Sequence, residues 1–558
     1  MKTTFRKSMI WLHTYLGLIT GWLLFTIFVT GTLSYFTPEI TYWMMPERQA
    51  IVIDEQQQNQ VYTQGQRYQV EKSIDYLETH ATNATSWRVY LPTQRDHHWY
   101  VQWREGKTRH LVNFNKDAIP IETTTDTKGG LFFRNFHYTL QLRGYGGRYI
   151  AGVAAMAMLL ALFTGIYTHR RFFKDFFTLR KGKVTKWTTD FHALIGIVTL
   201  PFCLMICISA IMIYAIMYMP FSANMHFEKG ERGVNKAIIP SLPELSESTQ
   251  TINKRGLKKD ILYSAILADL KIKWQEPNAI KRITIESPLR ENSRLIVERT
   301  KSLTVSNRAE RLVYSSYTAA PLEGYADESA PATIRRIMYG LHQANFATIG
   351  LRWLLFSLGV LSCVLIATGL VIWTNQRRIN YLKAVDIRTT PAIGKNPSKL
   401  PISLQIMEKG NVVAIMGLAI ATSAFLLANR IIPTEVTNRS GFEINTFFIT
   451  WLCSAIHAAV RPIKYAWYEQ ACAAAISYLV LAGGSVWLFY ERTTHAFNAV
   501  DTIYLSFMLM FGICSVGFIA LAYWLRGRLD YKRTPSYLSR LSSETCTNEI
   551  QNNTESKR

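Results

Sequence analysis

The sequence predicts an all-α polytopic membrane protein of about eight transmembrane helices. Two small α+β domains are inserted outside the membrane, and the helices around them form a pseudo-two-fold repeat. Three observations carry this. The 558-residue chain is 49% hydrophobic, and its apolar residues fall in runs of about 20, enough to cross a hydrocarbon core of roughly 30 Å. Basic residues cluster beside alternate ends of those runs. Short patterns recur between the first and second halves of residues 1–380.

The predicted spans lie near 9–36, 148–169, 191–219, 350–374, 411–431, 444–460, 472–490 and 502–526. Lys2, Arg6 and Lys7 precede the first. No small-residue cleavage site follows Gly31-Thr-Leu-Ser, so a retained helix is expected rather than a cleaved signal. The divisions that follow are 1–38 (first helix), 39–130 (first outer domain), 131–219 (helices two and three), 220–345 (second outer domain) and 346–376 (helix four). A basic loop occupies 377–410, a four-helix extension 411–526 and a polar tail 527–558.

Orientation follows from the flanking cations. Arg170, Arg171, Lys174, Arg180, Lys181, Lys183 and Lys186 lie in one loop, and Arg377, Arg378, Lys383, Arg388, Lys395, Lys399 and Lys409 in another. Arg461 and Lys464 follow span six, and Arg526, Arg528, Lys532 and Arg533 follow span eight. All fall on one side if both termini are cytoplasmic, which puts the two long loops outside. The net charge of +23 is then topology rather than a nucleic-acid footprint, and no basic-aromatic motif argues for nucleic acid. The outer loops contain no cysteine, so they must hold together by apolar cores rather than disulfides.

Each outer loop reads as a helix followed by a hairpin. Helix-like stretches at 69–80 and 258–272 precede Trp87-Arg-Val-Tyr-Leu-Pro92 and Ile283-Thr-Ile-Glu-Ser-Pro288. Alternating strands then begin at the same distance beyond each proline, at Trp99 and Leu295. Trp99 and Trp103 are candidates for a docking surface, although strand aromatics usually pack a core. The even spans repeat as well: Arg148-Tyr149 and Arg352-Trp353 open them, and Thr164-Gly165 and Thr368-Gly369 close them. Fused repeats of this kind imply a pseudo-two-fold axis along the membrane normal.

Four histidines follow that symmetry. His13 and His192 enter odd spans near the cytoplasmic face, in Leu-His-Thr-Tyr-Leu-Gly17 and Phe-His-Ala-Leu-Ile-Gly196. His137 and His342 precede even spans on the outer side. The natural pairs are His13 with His192 and His137 with His342. Two facing imidazoles suit the axial positions of a haem iron, and a glycine one turn away on the same face (Gly17, Gly196) admits a flat macrocycle. A lone membrane histidine is otherwise explained by a hydrogen bond to a neighbouring helix; four in two symmetric pairs favour two haems. Zinc is disfavoured, because each pair supplies two ligands where a structural site wants four. No Cys-x-x-Cys-His occurs, so each haem would be non-covalent, b-type and bis-histidine. His169 is a spare ligand or haem-propionate contact, or more simply an interfacial anchor. Cys203 and Cys207 read as apolar filler, and His80, His97, His98, His110 and His226 as solvated.

Trp11-Leu-His-Thr-Tyr-Leu-Gly17, Phe136-His-Tyr with Gly147-Arg148 and Thr164-Gly165, and Phe191-His-Ala-Leu-Ile-Gly196 resemble the PepSY-associated transmembrane family over about 5–380. The resemblance implies a four-helix haem-binding core, two periplasmic PepSY-like domains, and reduction of iron(III)-siderophores at the bacterial inner membrane. Tyr138 stands where members often carry Arg after the outer histidine. Arg148 and Arg352 are expected as additional haem contacts. No flavin or nicotinamide fingerprint is present, so the donor would be external, a quinol or a cytoplasmic reductase. The rivals are a non-enzymatic PepSY protein that binds peptides or restrains a protease, a transporter, and a quinone-linked electron-transfer protein. The extension, with His457 and His495, reads as a packing or assembly module, and the Ser/Thr/Asn/Glu-rich end of the chain as disordered.

Overall fold

The structure is a computed structural model. It describes residues 2–45, 64–121 apart from 94, 97 and 116, 125–168, 184–238, 280–300 apart from 291, 309–322, 329–388, 400–493 and 501–529, with residues 242 and 305 and helical residues between 266 and 274. His97, His169, His495, most of the 170–190 loop, much of the 258–272 stretch and the tail after 529 lie outside the described residues.

Among the described residues, eight helical segments are long and apolar enough to cross a membrane. Four form the core: α1 (Lys2–Ser34), α5 (Gly147–Thr168), α6 (Val184–Tyr218) and α10 (Ile349–Arg388). α1 packs between α5 and α10, and so does α6, which closes a ring. Small residues let these helices approach. A Cβ on Gly359 would fall 2.4 Å from Thr32, and one on Gly21 2.6 Å from Leu370. Cys203 and Cys207 are buried in this bundle, and Cys203 meets Ser362 at 3.3 Å. They fill space, as expected.

Shorter helices ride on the ring. α2 (Thr37–Met44) follows α1, with Pro38 in its first turn, where the missing N–H costs nothing. α4 (Leu131–Thr139) packs on α1, and α9 (Ala330–Gln343) on α6. Both end at a left-handed residue, Leu140 and Ala344, whose N–H closes on a carbonyl one turn back, that of Phe136 or Gly340. The interval from Leu140 to Ala344 equals that from Thr164 to Thr368, so the caps belong to the repeat. α7 (Pro220–His226) and α8 (Glu231–Ile238) lead away from α6.

Among the described residues the extramembrane part forms a seven-stranded antiparallel sheet to which both α+β units contribute. α3 (Gln64–His80) precedes β1 (Ser86–Tyr90), β2 (Trp99–Glu105), β3 (Thr108–Phe114) and β4 (Pro120–Ile121). The second unit supplies β5 (Ile280–Glu286), β6 (Arg294–Arg299) and β7 (Arg311–Ser315). The order is β4-β3-β2-β1-β5-β6-β7, so β1 and β5 join the units. Arg88 lies opposite Thr284 in that junction. The sequence repeat equates Trp87 with Ile283, and hence Arg88 with Thr284. The pseudo-two-fold axis therefore passes through this pair.

Each unit lays one helix face on the sheet. Val70, Ile74 and Leu77 share a single core with Ile266, Leu270 and Trp274, and two of these matches (70/266, 74/270) follow the same repeat. Trp87, Trp99 and Trp103 are in that core. The indole N–H of Trp99 donates to Ser73 Oγ at 2.8 Å. Period-two burial along β1 and β2 has thus turned the strand tryptophans inward, and they line a core rather than a docking surface. His98 also departs from the expected solvated side chain. It is buried, and its Nδ1 lies 2.7 Å from Asp96, because the β1–β2 loop folds over Tyr42 of α2, with ring centroids 5.5 Å apart.

The C-terminal extension comprises a continuous span made of α11 (Ile402–Val412), a π-helical turn (Val413–Gly417) and α12 (Leu418–Ile431), then α13 (Arg439–Val460), α14 (Ile463–Thr493) and α15 (Asp501–Leu529). The π turn has a cause. Trp451 of α13 donates its indole N–H to the Val413 carbonyl at 3.0 Å, which draws that oxygen out of the regular ladder. The extension meets the core through Asn411, whose side chain accepts from Trp22 of α1 and donates to the Leu370 carbonyl of α10.

Candidate functional site

The four histidines occupy two levels of the core. His137 on α4 and His342 on α9 face each other with ring centroids 5.9 Å apart and planes inclined at 31°. A metal bonded axially by two imidazoles, at about 2.0–2.1 Å per bond, sets such centroids roughly 6 Å apart. His13 and His192 lie at the other level, in matched settings between α1 and α5 and between α6 and α10.

Each ring is held by its Nδ1 atom. His13 Nδ1 lies 2.9 Å from the Ala161 carbonyl and 3.3 Å from Thr164 Oγ1. His192 Nδ1 lies 3.0 Å from Thr368 Oγ1. His137 Nδ1 lies 2.8 Å from the Ile27 carbonyl, and His342 Nδ1 2.9 Å from Ser209 Oγ. A carbonyl only accepts, so His13 and His137 carry the proton on Nδ1. The hydroxyls of Thr368 and Ser209 give their own protons to backbone carbonyls one turn back, so they too accept from Nδ1. All four rings therefore donate from Nδ1, which is the arrangement of a metal-ligating histidine oriented by a second partner.

The settings follow the repeat. Ile27 on α1 and Ile206 on α6 are separated by the same interval as His13 and His192, and the Ile206 carbonyl is reached by Ser209, whose hydroxyl holds His342. Glycines make room for three of the rings. A Cβ on Gly165 would come 3.2 Å from His13 Cε1, one on Gly369 3.1 Å from His192 Cε1, and one on Gly31 2.7 Å from His137 Cε1. Along α1, His13 and Ile27 are about four helical turns apart, so the two levels are separated by about 21 Å.

Gly17 and Gly196 fit the part given to them differently. A Cβ on Gly17 would meet no described atom within 4 Å, and one on Gly196 only Leu365 at 3.5 Å. His192 and Gly196 both face α10, so they do share a helix face.

One residue breaks the symmetry at the outer level. His137 is three positions before its cap Leu140, and His342 two before Ala344. That offset of one position corresponds to a rotation of about 100° around the helix, and the partners differ too, the Ile27 carbonyl for His137 and the Ser209 hydroxyl for His342. The two arginines also differ. Arg148 is exposed and lies over the Tyr138 ring, 5.6 Å from its centroid. Arg352 is buried. It bonds Glu39 at 3.3 Å and the Ala347 carbonyl at 2.8 Å, and Glu39 also receives Arg95 of the β1–β2 loop at 3.0 Å. Glu469 is held by Arg461 and by a hydrogen bond with His457 at the opposite end of the extension.

Sequence reasoning singled out the four histidines but not their anchors. Thr164-Gly165 and Thr368-Gly369 were visible as a repeat. Their use, hydroxyl or carbonyl to the ring nitrogen and glycine under the ring, needed the helix pairing. Ser209, Gly31 and the Ile27 carbonyl left no pattern in the sequence.

Among the described residues no cluster of three or more His, Cys, Asp or Glu side chains suits a metal ion. No curated protein matches the chain. The family described as the PepSY-associated TM region matches residues 10–376, which include the ring, the sheet and all four histidines. The chain belongs to the PepSY-associated transmembrane family.

Proposed function

We propose that this chain is a membrane-embedded oxidoreductase that holds two b-type haems, one between His13 and His192 and one between His137 and His342. It would pass electrons across the bacterial inner membrane to an iron(III)-siderophore on the sheet side and release iron(II). The observation that carries the reading is the common setting of the four imidazoles, each anchored through Nδ1 at repeat-related positions. Bound haem supplies one-electron redox chemistry, tuned by its axial ligands and their partners.

The chain's own residues do the positioning. Ala161, Thr368, Ile27 and Ser209 fix ring orientation and raise the basicity of Nε2. Gly17 leaves open space beside its helix for a flat group. Apolar helices surround both levels. Basic flanks put both termini in the cytoplasm, so the His13/His192 level is the entry side and the His137/His342 level lies beneath the sheet. The donor is external and is oxidised by one electron for each iron(III) reduced.

The test is direct. Dithionite-reduced protein, freed of excess reductant, is mixed with a soluble iron(III)-siderophore and ferrozine. Reoxidation of the haem spectrum with stoichiometric iron(II) capture is expected, and His342→Ala should stop the transfer. Haems that stay reduced with hydroxamate, catecholate and carboxylate chelates, yet are oxidised by quinone, would replace this assignment with a quinone-linked one.

A further inference from the structure

The C-terminal helices lie beyond the matched family region and contribute none of the four histidines. Their contacts nonetheless converge on α4, the helix that carries His137. Phe132 of α4 stacks on Phe425 of α12 at 4.4 Å and meets Phe447 of α13 edge-on at 5.0 Å. Phe133 meets Phe425 at 5.4 Å, and Phe136 meets Phe447 at 5.6 Å and Trp451 at 6.2 Å. Phe132, Phe133, Phe425 and Phe447 are all fully buried.

The segment leading into α4 is held by a second, polar set of contacts. The Thr127 hydroxyl donates to Glu443 of α13 at 2.5 Å and accepts the Gly129 N–H at 3.0 Å. Asp126 accepts from the backbone N–H and the hydroxyl of Ser440 at 3.2 and 3.0 Å. Glu443 is itself fixed by Arg439 at 2.5 Å and by Asn429 of α12 at 2.8 Å. Arg439 also donates to the Ile432 and Asn429 carbonyls that end α12. The buried charges are thus paired and hydrogen-bonded, as low-dielectric burial requires. Gly129 and Gly130 allow the close approach: Gly129 is at φ +51°, and a Cβ on Gly130 would fall 2.3 Å from the Thr37 carbonyl oxygen. The repeat-related helix α9 packs on α6 and is tied through Arg335 to Asn235 of α8.

We infer that the C-terminal extension is an intramolecular clamp on α4, and that Thr127, Phe132 and Glu443 are positioning residues for His137. The extension thereby makes the outer pair unequal, with His137 clamped from the extension and His342 carried on a helix packed on α6 and tied to α8. What the pair binds rests on the proposed function; the clamp itself does not.

The experiment uses the full-length protein. Thr127→Val with Ser440→Ala removes the side-chain bonds at the surface of the network and leaves the Arg439–Glu443 pair in place. Amide exchange in 126–139 is expected to quicken by about tenfold or more, while 330–343 and the sheet keep wild-type rates. Phe447→Leu should act on the same segment by the apolar route, and Thr127→Ser should restore wild-type exchange. Where haem is bound, the outer centre's low-spin spectrum and midpoint potential should shift, with the inner centre as an unchanged internal reference. The exchange comparison needs no bound group, so it decides the clamp even if the protein proves colourless. Unchanged exchange in 126–139, or equal loosening of 126–139 and 330–343, would overturn the clamp.

Discussion

Gly31→Ala is the smallest change that should disturb the outer histidine pair. The added Cβ would lie 2.7 Å from both Cε1 and Nδ1 of His137, well inside ordinary contact, so the ring must move. It is then pulled from the Ile27 carbonyl, 2.8 Å away, and turned relative to His342. Overpacking costs about 1–3 kcal/mol, and the lost hydrogen bond about 0.5–1.5 kcal/mol. Together, at about 1.4 kcal/mol per tenfold, the ligating arrangement should become roughly ten- to a thousandfold less populated. The same change at Gly165 or Gly369 meets a ring at 3.2 or 3.1 Å and should cost below about 1.5 kcal/mol. The assay is the low-spin spectrum of each centre together with thermal unfolding of the purified protein. A Gly31→Ala protein that retains a wild-type outer spectrum, or one less affected than Gly165→Ala, would refute the reasoning.

Gly17→Phe should fold normally, since a Cβ there meets no described atom within 4 Å, yet lose inner haem; full retention would show that no flat group lies against that face. A cysteine placed at residue 110 or 300 should react with an impermeant maleimide in intact cells, and reaction only after lysis would reverse the orientation. Asp96 offers a pH test. Burial opposes its ionisation, but bonds and charge from His98, with Lys281, hold its carboxyl below the usual carboxylate range. A depressed carboxyl stabilises above its unfolded value of about 3.9 and loses that contribution as pH falls through the folded value. Asp96→Asn should therefore flatten the acid side of the sheet's stability profile, and an unchanged profile would remove Asp96 from the account.

The membrane spans were legible because a long unbroken apolar run has few other uses. The eight expected spans correspond to the eight found, with ends displaced by several residues. The repeat was legible too, down to the offset that the β1–β5 register preserves. The joining of two units into one sheet was not. Any antiparallel edge offers the same unpaired N–H and C=O groups, and nothing in Trp87–Tyr90 specifies Arg282–Ile285 as their partner. The four histidines stood out because they are polar residues in apolar surroundings at matched positions. Their anchors did not, since a backbone carbonyl such as that of Ile27 has no sequence signature. The extension was the least readable part. The phenylalanines of α12 and α13 look like any lipid-facing residues until Phe132 and Phe136 of α4 are placed against them.

The central claim, that these histidines hold two haems, is tested most directly by counting haem. Pyridine haemochrome assay against protein mass should give two b-type haems per chain for the wild type. His13→Ala or His192→Ala should reduce the ratio to one while leaving the outer spectrum, and His137→Ala or His342→Ala should reduce it to one while leaving the inner. A wild-type ratio near zero, or a His13→Ala protein that loses the outer spectrum and keeps the inner, would contradict the account.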